Sequence, residues 1–229
     1  MIARAAYLVV VAGLAVLTVF AQLDRAARFD PALARSVPPA FAGFAAEQQA
    51  RAAIRSGDAD AALAASRRLL LRRPIPAEHL ALLSFAEAMG GDTQRAATAL
   101  QAASLRGWRE PLSQRAGAEA ALIEGQPAIA AQRITALFAT GQLPEQSEAL
   151  AARLLQDAEG RAAFAQRLAA HGRWQTNALP AIARSAAPRD VADTLARAEA
   201  LNAELPCPAL ERAARSTGIA AIVPPRCEA

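Results

Sequence analysis

Apolar positions divide the chain into one long uncharged stretch and a series of shorter amphipathic segments. Residues 5–23 carry no charge and are rich in Val, Leu and Ala, and a lone Arg4 precedes them. Nineteen such residues are enough for a helix to cross a bilayer. The pattern therefore predicts a transmembrane signal anchor over residues 1–23, with Arg4 on the cytoplasmic side and the rest of the chain exported.

Three features qualify this N-terminal prediction. Val19 and Ala21 have the spacing of a signal-peptidase site, so a cleaved signal peptide is the alternative to the anchor. The apolar run is longer than a usual signal core, which favours the anchor. No cysteine follows the run, so the sequence offers no lipoprotein attachment. In both interpretations the folded part lies in the periplasm.

Residues 24–42 follow the anchor and contain Pro31, Pro38 and Pro39 among charged side chains. Prolines in this density oppose a regular helix. This segment is predicted to be a linker that holds the folded part away from the membrane.

A 34-residue repeat begins after this linker. Gly57, Gly91 and Gly125 stand 34 residues apart, and an alanine follows each glycine after five residues. Glycine accepts the left-handed backbone that ends a helix, and Asp58 and Asp92 are placed to cap the next helix. The alanines mark points where paired helices cross closely. The repeat-defining positions are Gly57, Ala62, Gly91, Ala96, Gly125 and Ala130.

These positions, over residues 43–142, resemble the tetratricopeptide repeat (TPR), a helical hairpin of 34 residues. The family's frequent aromatic residue is missing from the first helix of the first unit, and its closing proline is present only as Pro74. The resemblance implies an all-α, TPR-like helical-hairpin solenoid behind the transmembrane helix. Residues 143–229 are then a helical C-terminal extension or cap. An irregular helical bundle is the alternative.

In a TPR stack the first helix of each pair lines a groove for a partner. The resemblance places eight side chains along that groove: Glu47, Arg51, Arg55, Glu78, Phe85, Met89, Arg115 and Glu119. The family's clamp for a peptide carboxylate needs lysine and asparagine, but this chain has no lysine and no asparagine before Asn177. The groove is predicted to hold an amphipathic helix or an extended segment of a protein.

The two cysteines, Cys207 and Cys227, agree with export. In an oxidising compartment they can close a loop of about twenty residues, which contributes roughly 3 kcal/mol. Two unpaired thiols are the alternative. A metal site is disfavoured because the only histidines, His79 and His171, lie far away in sequence.

The charge distribution along the chain argues against a nucleic-acid partner. The calculated pI is 10.3, yet 25 arginines are interspersed with 21 acids and the net charge is only +4. Three local arginine groups stand out: Arg67 with Arg68, Arg72 with Arg73, and Arg106 with Arg109. Cations at helix C-termini complement the helix dipole, and this explanation is preferred to a lipid or polysaccharide site.

Motifs for catalysis and for cofactor binding are absent from the sequence. It has no GxSxG elbow, no phosphate-binding glycine loop, no HExxH and no CxxC. The chain is therefore predicted to be non-catalytic, without a cofactor or metal. Its layout resembles membrane-anchored TPR proteins of Gram-negative envelopes, which implies a periplasmic scaffold or assembly factor in the inner membrane, for example of a polysaccharide or protein export system. The alternative is a carbohydrate-binding accessory subunit that depends on Trp108 or Trp174.

Overall fold

The computed structural model describes residues 2–217 and residue 227, and these are helical with no strand among them. The chain forms two compact units, Met1–Gly107 and Trp108–Ala229. The first contains α1 (Ile2–Ala26), a 3-10 helix (Pro31–Ser36), α2 (Phe44–Ser56), α3 (Ala59–Arg72), α4 (Ala77–Met89) and α5 (Thr93–Arg106). The second contains α6 (Pro111–Ile123), α7 (Pro127–Thr140), α8 (Pro144–Leu155), α9 (Ala158–Ala169), α10 (Gln175–Ser185), α11 (Pro188–Ala200) and α12 (Cys207–Thr217).

The division between the units falls between the second and third sequence repeats. The predicted repeat region, residues 43–142, therefore contributes helices to both units. Of the predicted C-terminal extension, residues 218–226 and 228–229 lie outside the described residues.

Helix α1 is apolar and exposed along most of its length. Its large side chains between Tyr7 and Val19 are exposed to solvent, and packing begins only in its last turns. In the described part of the chain, α1 alone is long and apolar enough to cross a membrane. By length and composition it suits a membrane anchor or a signal sequence.

The three repeat turns share one backbone geometry. Gly57, Gly91 and Gly125 have φ values of 77°, 84° and 64°, in the left-handed region that glycine adopts most easily. The amide of each following residue donates to the carbonyl five positions earlier, with N···O distances of 3.1, 2.9 and 2.8 Å. Asp58 and Asp92 also accept from an amide in the next helix. Each turn thus ends one helix and directs the chain into its antiparallel neighbour.

The recurring small residues lie where paired helices pack. Ala62, Ala96 and Ala130 are buried on the second helices of the α2/α3, α4/α5 and α6/α7 pairs. On α4 the hydroxyl of Ser84 donates to the carbonyl of Ala96 at 2.8 Å, so the two helices cross closely at these positions. Larger side chains here would separate the pair.

Residues 27–42 are packed onto the first hairpin, although the sequence predicted a linker here. Ala27, Ala34, Val37 and Ala42 are buried and form a cluster with residues of α2 and with Leu69 of α3. Asp30 caps the 3-10 helix by accepting from the amide of Ala32 at 3.0 Å. The prolines oppose an α-helix, but the small residues between them fit against the alanine-rich surface of α2. This segment is therefore a packed connection between α1 and α2.

The core of the second unit contains larger side chains than that of the first. Ile134, Leu137, Leu154, Phe164 and Leu179 are fully or almost fully buried in one hydrophobic cluster. Helix α7 packs on α8 and α9, and α10 packs on α7, α8 and α12. Cys207 at the start of α12 is joined to Cys227 by a disulfide, with their Cα atoms 5.3 Å apart.

Candidate functional site

The predicted groove residues fall on the first helices of the hairpins. Glu47, Arg51 and Arg55 lie on α2, while Glu78, Phe85 and Met89 lie on α4. These six residues define the α2/α4 face of the first unit, where the two helices are in contact. Arg115 and Glu119 lie on α6 of the second unit. Six of the eight residues thus lie in the first unit and two in the second.

Glu47, one of the six, is engaged in a largely internal cluster. Its carboxylate accepts from Arg51 at 2.9 Å and from Arg73 at 3.3 Å, and it lies 3.4 Å from Nε2 of His79. His79 is fully buried, and its Nδ1–H donates to the carbonyl of Arg73 at 2.7 Å. The cluster joins α2 to the C-terminal end of α3 and the first turn of α4.

These contacts shift the acidity of Glu47. Hydrogen bonding from His79 lowers its pKa to about 2 with help from Arg51, although burial opposes the shift. Glu47 is therefore a half-buried structural anion as well as a member of the α2/α4 face. The sequence alone does not reveal this role, because a single histidine carries no periodic signal that pairs it with a carboxylate.

The rest of the α2/α4 face is accessible to a partner. Phe85 is 41% exposed, which is high for a phenylalanine side chain on a helix–helix surface. Arg55 and Glu78 are exposed, and Met89 is half-buried. This mixture of one aromatic, one thioether and charges of both signs suits an amphipathic protein segment.

In the second unit Arg115 and Glu119 line a cleft between α6 and α8. Nε of Arg115 donates to Glu119 at 2.8 Å. The cleft has a volume of about 420 Å³ and is completed by four residues of α8. We call this set the α6/α8 cleft: Arg115, Glu119, Gln146, Ala149, Leu150 and Arg153. Arg153 is exposed, and no carboxylate in the described part of the chain pairs with it.

A second concavity of the same unit was not predicted from the sequence. It measures about 470 Å³ and lies among α7, α8, α10 and α12, so we call it the α10 groove. Glu148 and Arg184 form a salt bridge across it. The amide side chains of Gln142 and Asn177 also line it.

Pro180 forms part of the wall of the α10 groove. This proline lies inside α10, and the helix continues through it. Proline has no N–H, so the carbonyl of Thr176 one turn earlier lacks its helical donor. Nη2 of Arg212, on α12, donates to that carbonyl at 3.2 Å. A long-range side-chain contact therefore replaces the missing backbone bond.

The two tryptophans occupy different environments. Trp174 packs edge-on against Phe164 with ring centroids 5.9 Å apart, and a Cβ added at Gly172 would come within 2.3 Å of its ring. It is therefore part of the core of the second unit. Trp108 is 52% exposed, and the guanidinium of Arg109 lies over its ring at 4.6 Å from the centroid.

No group of three His, Cys, Asp or Glu residues that could hold a metal ion occurs in the described residues 2–217 and 227. Asp190 and Asp193 of α11 form ion pairs with Arg161 of α9, and Arg197 also pairs with Asp193. These charges hold α9 and α11 together.

Comparisons of the chain with models of protein families, with curated proteins and with solved structures found no match.

Proposed function

We propose that this chain is a non-catalytic scaffold, anchored in the inner membrane of a Gram-negative envelope, that holds a protein partner on TPR-like helical hairpins. The observation that carries the proposal is the packing of first helices. α2 contacts α4, and α6 contacts α8. These contacts support the proposal, because recognition of a partner helix or extended segment needs a face shared by neighbouring helices.

The hairpin geometry supports the TPR part of the proposal. The same amide-to-carbonyl bond closes the turns at Gly57, Gly91 and Gly125. The small residues that recur with these glycines are buried between paired helices. A sequence period and a structural period therefore coincide at each turn.

The contacts at the base of α1 support an uncleaved anchor. Asp24 in its last turns accepts from the amides of Gly43, Phe44 and Ala45 at 2.9 to 3.1 Å. Phe20 stacks on Phe41 with centroids 5.2 Å apart. Cleavage after Ala21 would remove Phe20 from this packing, whereas an intact α1 retains it.

The disulfide between Cys207 and Cys227 supports a periplasmic location for the folded part. The arginines alone favour the opposite orientation, because Arg4 precedes the apolar run whereas Arg25 and Arg28 follow it. A disulfide is rarely kept in the reducing cytosol, so the bond favours the periplasm over the orientation that the arginines alone would give.

Crosslinking in intact cells tests the proposal. The tagged chain is compared with Arg153→Glu, which reverses an exposed charge in the α6/α8 cleft, and with Phe85→Ala on the α2/α4 face. Arg173→Glu is the control for the first variant, since Arg173 is exposed and outside the cleft. Ile129→Ala is the control for the second, because Ile129 is 43% exposed, close to the value for Phe85.

A discrete protein adduct lost in either site variant and kept in its control supports the scaffold. An adduct that persists in all four variants places the partner elsewhere and overturns the site. Attached glycan that is lost on Trp108→Ala would favour the carbohydrate-binding alternative, because Trp108 is the more exposed tryptophan.

A further inference from the structure

We propose that the end of the first unit at which α1 terminates docks on the interface of the bilayer and binds anionic phospholipid headgroups. This surface, the membrane-proximal rim, consists of four apolar side chains, Phe29, Leu71, Ile75 and Leu105, and four cations, Arg25, Arg28, Arg72 and Arg106. The inference rests on the proposed anchoring by α1, and it assigns a second membrane contact to the folded unit.

The last turn of α1 shows which end of the first unit faces the bilayer. Asp24 binds the first amides of α2, so α1 ends directly at the N-terminus of α2. The uncharged run of α1 stops at residue 23. If that run fills the hydrocarbon layer, Asp24 lies at headgroup depth. Phe29, five residues further on, lies in the same region.

Direct contacts connect the other parts of the rim to this point. The guanidinium of Arg73, just after α3, lies 4.1 Å from the ring centroid of Phe44 at the start of α2. Nη1 of Arg106, at the end of α5, donates to the carbonyl of Pro74 at 2.7 Å. The C-terminal ends of α3 and α5 are therefore at the same end of the unit as the base of α1. Leu71 and Ile75 flank Arg73 and Pro74 in sequence, and Leu105 precedes Arg106.

The apolar part of the rim is unusually accessible. Phe29, Leu71, Ile75 and Leu105 are 80%, 86%, 82% and 75% exposed. Single exposed apolar residues are ordinary, but four of them gathered at one end of a small helical unit form a patch that favours a second apolar phase. Insertion at the level of the headgroups would remove this surface from water.

The charges of the rim select an anionic occupant. Arg25, Arg28, Arg72 and Arg106 form no ion pair with a carboxylate in the described part of the chain. Asp24 and Glu47 at this end are partly buried and accept hydrogen bonds, so Asp30 and Glu78 are the exposed acids beside the four arginines. Arginines near a membrane surface are attracted to anionic lipid headgroups. The helix-dipole explanation accounts for Arg72 and Arg106 but not for Arg28 or for the apolar neighbours.

Site-specific fluorescence on the full-length chain in lipid nanodiscs tests this proposal. Both native cysteines are in the disulfide, so an introduced cysteine can be labelled selectively. An environment-sensitive dye is attached at Ile75→Cys in the rim, at Gln94→Cys in the first turn of α5, or at Leu14→Cys within α1. Position 94 is the matched control, since it is exposed and lies at the other end of a helix about 20 Å long.

A nitroxide carried on the lipid headgroups should quench the dye at position 75 about threefold more than at position 94. The difference should grow when phosphatidylglycerol is added to phosphatidylcholine, and it should fall in the Arg72→Glu/Arg106→Glu variant. Equal quenching at positions 75 and 94, with the dye at position 14 buried in the bilayer, overturns the docking while the anchor stands. A dye at position 14 that remains in water refutes the anchor itself. If position 75 is protected only in native membranes, a protein covers the rim and the lipid proposal fails.

Discussion

His79 is completely buried, with its Nε2 3.4 Å from the carboxylate of Glu47. The second ring nitrogen donates to the backbone of Arg73, which fixes the orientation of the imidazole. The pKa of Glu47 is lowered to about 2 by hydrogen bonding from His79 and by Arg51. A carboxylate whose pKa is lower in the folded state stabilises the fold above its unfolded pKa.

We therefore predict that Glu47→Gln lowers the free energy of unfolding by about 2 kcal/mol at pH 7. This value is smaller than the energy equivalent of the full pKa shift, because the side chain is partly solvated. The sign follows from the lowered pKa: the stabilisation is complete above about pH 4.5 and is lost as the pH falls towards about 2. The difference between wild type and variant should therefore shrink through this window. Urea unfolding in micelles at a series of pH values measures this difference in unfolding free energy.

Glu119→Gln is the control, because Glu119 also pairs with an arginine four residues away but its side chain is 42% exposed. Its effect at pH 7 should be under about 0.5 kcal/mol. A Glu47→Gln effect that is equally small, or that is the same at about pH 5 as at about pH 3, would contradict a structural role for the cluster.

Asp24 provides the second prediction, since one carboxylate accepts from three consecutive amides at the start of α2. Replacement by alanine leaves these donors without their partner. Asp24→Ala should destabilise the first unit by about 1 to 2 kcal/mol and speed hydrogen exchange at Gly43 and Ala45. Asp30→Ala, which removes an exposed cap from the 3-10 helix, should cost about half as much. If Asp24→Ala and Asp30→Ala destabilise the first unit equally, the hydrogen bonds of Asp24 contribute little to the connection between α1 and α2.

The local features of the hairpins were predictable from the sequence, whereas the contacts that position the candidate surfaces were not. Gly57 and Asp58 specify a helix end and a helix start within a few residues, so local chemistry is enough to predict that turn. Asp24 and the amide of Gly43 are 19 residues apart, and nothing in the sequence pairs them. The burial of His79 likewise depends on Glu47 from another helix, and a single histidine gives no periodic signal.

The disulfide between Cys207 and Cys227 gives the third prediction. The bond closes a loop with a sequence separation of 20 residues. Its reduction should lower the unfolding free energy of the second unit by about 3 kcal/mol, because the unfolded chain regains the entropy of the open loop. Unfolding followed through Trp174, with and without a reductant, measures the change. The Cys207→Ser/Cys227→Ser variant should unfold identically in both conditions. Insensitivity of the wild type to reductant would contradict the prediction.

The contact between Arg212 and Thr176 gives the fourth prediction, which isolates the effect of Pro180. In the wild type Arg212 donates to a carbonyl that has no helical donor, since Pro180 lacks an N–H. Arg212→Ala should therefore destabilise the second unit by about 1 kcal/mol. In the Pro180→Ala background the alanine amide can donate to Thr176 within α10, so the same arginine change should have little effect.

The double-mutant cycle of these two substitutions separates this coupling from the cavity that Pro180→Ala leaves in a buried position. We expect a coupling energy of about 0.5 to 1 kcal/mol from urea unfolding. Arg215→Ala, in the same helix and 4.0 Å from the carboxylate of Glu211, is the matched control and should show no coupling to Pro180. A zero coupling for Arg212 would mean that solvent satisfies the Thr176 carbonyl equally well. The loss of the helical donor would then have no bearing on how α12 is held against α10.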